Sequence, residues 1–393
     1  MMALAAALLT SLCAQDDQIV LTNAKILSVS GEPIAKGAVV VRGGKIVAVA
    51  DNVVFPEAKV IDLSGKVIIP GLIDAGCMLG VAGPANEDGE EVAPQVRIVD
   101  SLDPRSPDLA RARQSGVTAA FVEPGNRGVI GGVASIVRTS GPSRAAMMVR
   151  ESAALKAVIG PTPAQGNFSP RGSAPSFFAR RPTTRMGVAW ELRKAFFDAG
   201  RGAGDDPGKA VLAQALAGKL PVRIAASRIT DLETAMQIAD ELGLTIVFEE
   251  AQEAYKRADL LVKKNIPVLL RLSVNGTAPM YFGEQNEVRL DAFSLLIKAG
   301  VKTALLSTGD PRSEGMLPAV SFAVRGGASP AEALRAVTLT PAEILGVADR
   351  MGSLEAGKDA NLVVLSGEPH DVTTRVEKVM IDGRWVFGEK TDK

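Results

Sequence analysis

The chain has 393 residues, of which 47% are hydrophobic and only 4% are aromatic, so a large core would be mainly aliphatic. Lysine plus arginine and aspartate plus glutamate number 44 each, and the formal net charge is zero. A chain without net charge has no excess of positive charge with which to bind nucleic acid or an anionic membrane. Its copies also repel one another little, so a homo-oligomer is possible. The length allows two or three average domains, or one barrel with an appended domain.

The first residues predict an export signal. An apolar run from Met1 to Leu12 is followed by small residues and by Asp16 and Asp17, as in a short signal peptide spanning 1–14. We therefore expect an exported protein, located in the periplasm or outside the cell. No later stretch reaches the roughly 20 apolar residues that a transmembrane helix needs, so no membrane span is predicted.

Both ends of the chain predict β structure. Residues 19–29 and 37–49 near the start, and 360–367 and 376–388 near the end, are rich in strand-forming residues. Gly43-Gly44 and Asp382-Gly383 separate alternating segments and predict hairpin turns, since these residues tolerate positive φ. Strands at both termini predict one composite β-sandwich domain, assembled from residues 18–69 and 348–390.

The central region, residues 70–347, alternates apolar segments with helical patterns. The predicted strands lie at 221–226, 245–249, 267–272 and 301–307, and the predicted helices at 230–242, 251–264 and 288–299. This alternation favours a parallel sheet, and its length favours an α/β fold, a (β/α)8 TIM-like barrel. Capping boxes predict that helices begin at Thr230, Ser329 and Thr340.

Two segments of the central region predict loops. Residues 160–185 are rich in proline, glycine and serine, and residues 200–208 are rich in glycine. Arg171, Arg180 and neighbouring phenylalanines in the first loop are compatible with nucleic-acid stacking, but the neutral chain favours a solvated loop.

The two residue types that most often serve as soft or borderline metal ligands are scarce. Removal of residues 1–14 would leave Cys77 alone, which excludes an intrachain disulfide and predicts a buried thiol in an apolar segment. The single histidine, His370, lies in the predicted terminal β domain, where we expect an exposed loop position.

Four segments carry a resemblance to a known family. They are VIIPGLIDAGCMLG (67–80), GVTAAFVEPGNRGVIGGVASIV (116–137), PTTRMGVAWELRKAFFDA (182–199) and LTPAEILGVADRMGSLEAGKDANLVVLSGEP (339–369). In this order they resemble imidazolonepropionase-like members of the amidohydrolase superfamily. The resemblance implies a barrel with a composite β domain. It also implies hydrolysis of C–N bonds other than peptide bonds, with zinc or another divalent metal.

The resemblance places the family's metal ligands on residues that are not histidines. The first-strand pair falls on Gly76 and Met78, a later pair on Ala225 and Ser227, and a further position on Glu250. The proton-shuttling aspartate of the last barrel strand falls on Asp310. Asp74 and Glu249 complete the expected pocket.

This residue set predicts a barrel that binds no metal. Glycine has no donor, and the thioether of Met78 does not replace imidazole on a borderline divalent ion. Without a Lewis acid, Asp310 lacks activated water, and it can equally cap the turn before Pro311. We therefore predict a pseudoenzyme, with a small-molecule ligand or a partner. The partner would be a second copy or an intact paralogue in a hetero-oligomer.

An alternative keeps catalysis. Asp310, Glu249 and Glu250, with Asp74 nearby, would form an oxygen-only site for Mg²⁺ or Ca²⁺, or a metal-free hydrolytic site. Under this alternative the protein is an active hydrolase of C–N bonds.

Overall fold

The computed structural model describes residues 18–51, 58–165, 167, 181–272, 287, 289–307 and 315–388. Asp310 and most of the predicted loop 160–185 lie outside these ranges. The strands are β1 Ile19–Ile26, β2 Ile34–Arg42, β3 Lys45–Ala50, β4 Lys59–Asp62, β5 Val67–Pro70, β6 Leu72–Cys77, β7 Val117–Val122, β8 Ile130–Arg138, β9 Met148–Val158, β10 Val222–Ala225, β11 Ile246–Glu249, β12 Val268–Leu270, β13 Thr303–Leu305, β14 Leu362–Leu365, β15 Val376–Ile381 and β16 Arg384–Phe387. The α-helices are α1 Pro107–Gln114, α2 Arg144–Met147, α3 Arg185–Gly200, α4 Pro207–Leu216, α5 Ile229–Leu242, α6 Ala258–Lys263, α7 Ala292–Lys298, α8 Leu317–Arg325, α9 Pro330–Arg335 and α10 Leu339–Ile344.

Strands from both chain ends form one sheet, as the sequence predicts. Its order is β16-β15-β14-β5-β1-β2-β3, with β4 paired to β1. The pairing of β14 with β5 joins the C-terminal strands to the N-terminal ones. Gly43 and Gly44 have positive φ between β2 and β3, and so do Asp382 and Gly383 between β15 and β16, which confirms both predicted hairpin turns.

The second sheet is a nearly closed barrel of eight strands in the order β13-β12-β11-β10-β9-β8-β7-β6. One strand departs from the parallel arrangement that the sequence favours, because β8 runs antiparallel to both β7 and β9. The connections on either side of β8 are too short for the crossover that parallel neighbours need. The remaining neighbours, from β9 to β13 and between β6 and β7, are parallel.

Backbone from the segment after α9 lies between the first and last barrel strands. The N–H of Leu305 donates to Ala336 O at 2.9 Å, and the N–H of Ile73 donates to Val337 O at 2.9 Å. These bonds give partners to backbone N–H groups at the edges of β13 and β6, which would otherwise be unpaired.

A buried apolar cluster fills the barrel interior. It contains Ile73, Phe121, Val247 and Leu269 from four different strands, together with Leu345 just after α10. Side chains from opposite walls of a barrel can meet only inside it, so this cluster identifies the interior face of each strand. The same cluster contains no residue of β10, where a charged side chain takes the interior position.

The helix starts agree only in part with the predicted capping boxes. Ser329 forms a complete capping box with Glu332, as predicted. The prediction at Thr230 is wrong, because α5 begins at Ile229 and the N–H of Ile229 instead donates to the carboxylate of Glu253 at 2.9 Å. The carboxylate of Glu253 therefore caps the start of α5 in place of the predicted side chain of Thr230.

The capping box predicted at Thr340 is also wrong. Helix α10 begins at Leu339, so Thr340 already lies in its first turn. The preceding Thr338 directs its hydroxyl back to Leu334 O at 2.7 Å, away from the new helix.

The predicted helices 251–264 and 288–299 are shorter in the structure. The first divides into a 3-10 turn at Ala254–Arg257 and α6, and the second is α7. Cys77 is buried, as expected. His370 is half-buried rather than exposed, in a turn between β14 and β15. No helix within the described residues is long and apolar enough to span a bilayer.

Candidate functional site

The residues singled out from the sequence gather at one end of the barrel. Asp74 and Gly76 lie on β6, and Ala225 and Glu249 are the last residues of β10 and β11. Met78 and Glu250 follow directly after β6 and β11, and Ser227 lies two residues after the end of β10. The carboxyl ends of parallel barrel strands form the face where ligand and catalytic groups of such barrels lie. The predicted site residues therefore lie at the same end of the barrel, apart from Asp310, which lies outside the described residues.

Four charged side chains occupy the centre of this end; we refer to Glu123, Lys156, Arg223 and Glu249 as the ionic quartet. Glu249 accepts hydrogen bonds from Arg223 through one carboxylate oxygen and from Lys156 through the other. The ammonium nitrogen of Lys156 also lies 3.1 Å from Oε1 of Glu123. None of the four is more than 8% exposed. Buried charges of this kind persist only when they are paired.

Strand pairing explains why two cations stand side by side. Lys156 on β9 and Arg223 on β10 are directly paired in register, so both point into the barrel at one level. The guanidinium of Arg223 lies 4.2 Å from the ring centroid of Phe121, and its Nη2 donates to Ala75 O at 2.5 Å. Adjacent like charges repel, so the carboxylates of Glu249 and Glu123 are required beside them.

The two carboxylates of the quartet differ in protonation. Burial and the neighbouring Glu249 raise the pKa of Glu123 well above its usual value. Burial also acts to raise the pKa of Glu249, but Arg223 and Lys156 outweigh it and lower this pKa to about 2. The pKa of Lys156 is raised, because Glu123 and Glu249 outweigh the effect of burial. Of the two carboxyl groups, Glu249 is therefore the one whose ionised form the cations stabilise, and burial favours the neutral form of Glu123.

Gly76 leaves the space that the quartet fills. A Cβ placed on Gly76 would lie 3.0 Å from Cδ2 of Leu306, 3.2 Å from Oε1 of Glu123 and 3.6 Å from Nη2 of Arg223. An imidazole extends much further than a Cβ, so a histidine at position 76 would overlap these groups. The quartet fits at this end of the barrel because Gly76 has no side chain.

A second polar group lies beside the quartet. Asp74 accepts hydrogen bonds from the hydroxyl and the N–H of Ser307, and burial raises its pKa although Arg271 opposes this. Arg271 also donates to Ser307 O and lies 3.6 Å from a carboxylate oxygen of Glu250. Glu250, which has positive φ, accepts a hydrogen bond from Asn126 at 3.1 Å. Glu249 and Glu250 therefore contact different partners.

The residues at the expected metal positions do not fit a divalent ion. Gly76 and Ala225 offer no donor atom, and the half-buried Met78 packs against the apolar core between barrel and helices. Glu249 is held by two cations, which a metal would have to displace. Across the described ranges, no group of three or more His, Cys, Asp or Glu side chains is arranged to hold a metal. Borderline ions such as zinc need imidazole, thiolate or free carboxylate ligands.

Sequence reasoning found one member of the quartet, Glu249, and missed the other three. A signal was present, because Lys156 lies within the apolar segment AALKAV and Arg223 within PVRIAA. A long cation inside a short buried strand requires a buried partner. Glu123, directly after β7, gave a weaker signal, since strand-end carboxylates are common at barrel mouths.

Comparison with known proteins agrees with this architecture. A family described as "Amidohydrolase family" matches residues 200–386. The crystal structure of an amidohydrolase from Thermotoga maritima superimposes with a TM-score of 0.86 at 31% sequence identity. That match covers 94% of this chain and 99% of the other.

Two curated proteins are similar over shorter shares of their length. "Amidohydrolase tasK" of Hapsidospora irregularis is 24% identical over 348 residues, which cover 77% of this chain and 34% of that protein. The imidazolonepropionase of Thermoplasma acidophilum is 32% identical over 164 residues, which cover 41% of this chain and 38% of that protein. The chain thus spans little more than a third of each curated relative it matches. The family match, the near-complete structural match and the barrel with its composite sheet together show that this chain belongs to the amidohydrolase family.

Proposed function

We propose that this protein is an amidohydrolase-family member without metal-dependent hydrolysis, and that its barrel serves to bind a ligand or a partner. The observation that carries the proposal is the ionic quartet at the carboxyl end of the barrel. Lys156 and Arg223 supply two fixed positive charges where the family's chemistry needs an exchangeable metal ion.

The chemical consequence concerns water. Hydrolysis of a C–N bond near neutral pH requires water whose pKa has been lowered from 15.7 toward about 7 by a bound metal. An ammonium or guanidinium group can neutralise carboxylates, but it cannot accept a lone pair from water. Lys156 and Arg223 thus neutralise the buried carboxylate of Glu249 without supplying a Lewis acid.

The contacts weigh against the alternative hydrolase built on Asp310, Glu249 and Glu250. Glu249 has both carboxylate oxygens engaged by Lys156 and Arg223, so it is a poor ligand or base. Glu250 is turned toward Asn126 and Arg271.

For the partner we propose a second copy of this chain, bound through one face of α3. Met186, Trp190 and Phe197 are 79%, 61% and 57% exposed, and their spacing puts them on one side of the helix. Tryptophan and methionine in an exposed stripe are enriched at protein interfaces. A two-fold axis through this stripe would bring the three apolar side chains of one copy against the same three of the other.

We also propose export of the protein, on the basis of the signal-like residues 1–14. These residues lie outside the described ranges, so the proposal depends on their composition alone. Detection of the chain in the periplasmic or culture fraction, beginning near Gln15, would support it.

Turnover measurements test the proposed loss of hydrolysis. The protein, purified from cells supplied with zinc and manganese, is assayed against a panel of amides, ureas and cyclic imides. Asp310→Asn is the matched variant. The proposal expects both proteins to give the rate of buffer alone. Hydrolysis that a chelator removes, and that Asp310→Asn abolishes, would refute it.

A further inference from the structure

Two buried carboxylates converge on one ammonium group inside the barrel. Nζ of Lys156 lies 3.1 Å from Oε1 of Glu123 and donates a hydrogen bond to Oε2 of Glu249. The three side chains come from β9, from the end of β11 and from the residue that follows β7. A single positive charge held between two buried carboxyl groups from different strands has the surroundings of a bound cation.

We infer that the Lys156 ammonium occupies an internal cation position between Glu123 and Glu249, and that removing it lets a divalent cation bind there. The inference rests on the proposed function, because it assumes that the native barrel binds no metal. It assigns Lys156 as the group that keeps a hard cation out of the barrel.

An unpaired oxygen supports this inference. Oε2 of Glu123 is buried, and within the described residues it accepts no hydrogen bond. Glu123 is only 8% exposed, so water cannot freely solvate this atom. A buried carboxylate oxygen without a donor is costly unless the group is protonated or meets an additional positive charge. Without the Lys156 charge, Glu123 would have a still greater need for a neighbouring positive charge.

The rest of the quartet would stay in place around such an ion. Arg223 is anchored independently of Lys156, by Glu249, by Ala75 O at 2.5 Å and by the face of the Phe121 ring. Glu249 would keep one oxygen on Arg223 and release the other. Hard divalent ions such as Mn²⁺ and Mg²⁺ accept carboxylates and complete their coordination with water.

Thermal unfolding of the full chain tests the inference. Wild type, Lys156→Ala, Lys156→Arg and the double variant Lys156→Ala/Glu123→Gln are unfolded with EDTA, MnCl₂ or MgCl₂. We expect wild type and Lys156→Arg to be insensitive to these additions. Lys156→Ala should be destabilised in EDTA and recover by about 5 °C or more in MnCl₂, since binding to the native state alone stabilises it. The double variant should lose this recovery.

Each other outcome would overturn the inference. A Lys156→Ala variant that is equally unstable in EDTA and MnCl₂, or that does not fold in either, shows that no cation replaces the ammonium. Recovery that persists in the double variant places the ion elsewhere. Failure of the proposed function shows itself differently, as metal and turnover in the wild-type protein, so the two failures are distinguishable.

Discussion

Gly76 and Arg223 face one another inside the barrel, and a Cβ on Gly76 would lie 3.6 Å from Nη2 of Arg223. The absence of a side chain at one position and the long cation at the other depend on each other. Restoring a ligand at position 76 alone would therefore produce a collision rather than a metal site.

The first prediction concerns this collision. Gly76→Ala should lower the free energy of unfolding by about 1–3 kcal/mol, because its Cβ meets Leu306 at 3.0 Å and Glu123 at 3.2 Å. Gly76→His should cost more. Urea denaturation measures both. Gly31→Ala is the control, since its nearest neighbour would be 3.6 Å away, and it should change stability by less than about 0.5 kcal/mol. Equal effects at both glycines would contradict the packing argument.

The second prediction separates the two carboxylates of the quartet. Glu249→Gln leaves the buried cations Lys156 and Arg223 without an ionised partner and should destabilise by about 3–5 kcal/mol. Glu123→Gln replaces a carboxyl group whose raised pKa favours its neutral form with an amide that can accept from Lys156 and donate to Glu249. It should change stability by about 1 kcal/mol or less near pH 4.5, where the raised pKa of Glu123 does not yet lower the stability of the wild type. The free energies of unfolding of the two variants test this, and a reversed order would show that Glu123 carries the charge.

The third prediction is a pH dependence with opposite signs. The pKa of Glu249 falls from 4.5 to about 2 on folding, so its stabilisation is present above pH 4.5 and is lost as pH falls toward 2. The pKa of Glu123 rises on folding, so its contribution is present below pH 4.5 and is lost as pH rises through its folded value.

Glu123→Gln should therefore gain stability relative to wild type between pH 5 and pH 8, by about 1.4 kcal/mol for each unit of pKa shift that the interval covers. Urea denaturation at the two pH values provides the measurement. A difference that stays constant between pH 5 and pH 8 would mean that folding does not raise the pKa of Glu123.

The fourth prediction concerns the exposed face of α3. Trp190→Glu should convert the proposed dimer into monomers, because it places two carboxylates at the centre of the two-fold contact. Light scattering during gel filtration gives the mass directly. Val372→Glu changes another exposed apolar residue, 84% exposed and distant in sequence, and should leave the mass unchanged. A wild-type chain that is monomeric at every concentration would end this proposal.

The architecture could be predicted from the sequence because it depends on local patterns, such as turns and alternating strands and helices, and on motifs that resemble those of a known family. Hairpin turns at Gly43-Gly44 and Asp382-Gly383 need positive φ, and the alternation of strands and helices in the middle predicts a barrel. The reversed β8 escaped prediction because its direction depends on the short connections around it, which do not alter the apolar pattern.

For the barrel centre, the sequence predicts which metal ligands are missing but not which side chains take their place. The sequence shows Gly76 and Met78 where imidazoles would stand, but it does not show what fills the space. Lys156, Arg223 and Glu249 come from three strands separated by dozens of residues. Their meeting depends on strand register, which a single sequence does not specify.

Metal content of the native protein tests the central claim most directly. The full chain is purified without chelators from cells supplied with zinc, manganese and iron, and elemental analysis gives the number of ions per subunit. Our account predicts that no transition metal is present in stoichiometric amount, and that Lys156→Arg gives the same result. About one ion per subunit, retained through dialysis and lost with the folded barrel, would contradict it.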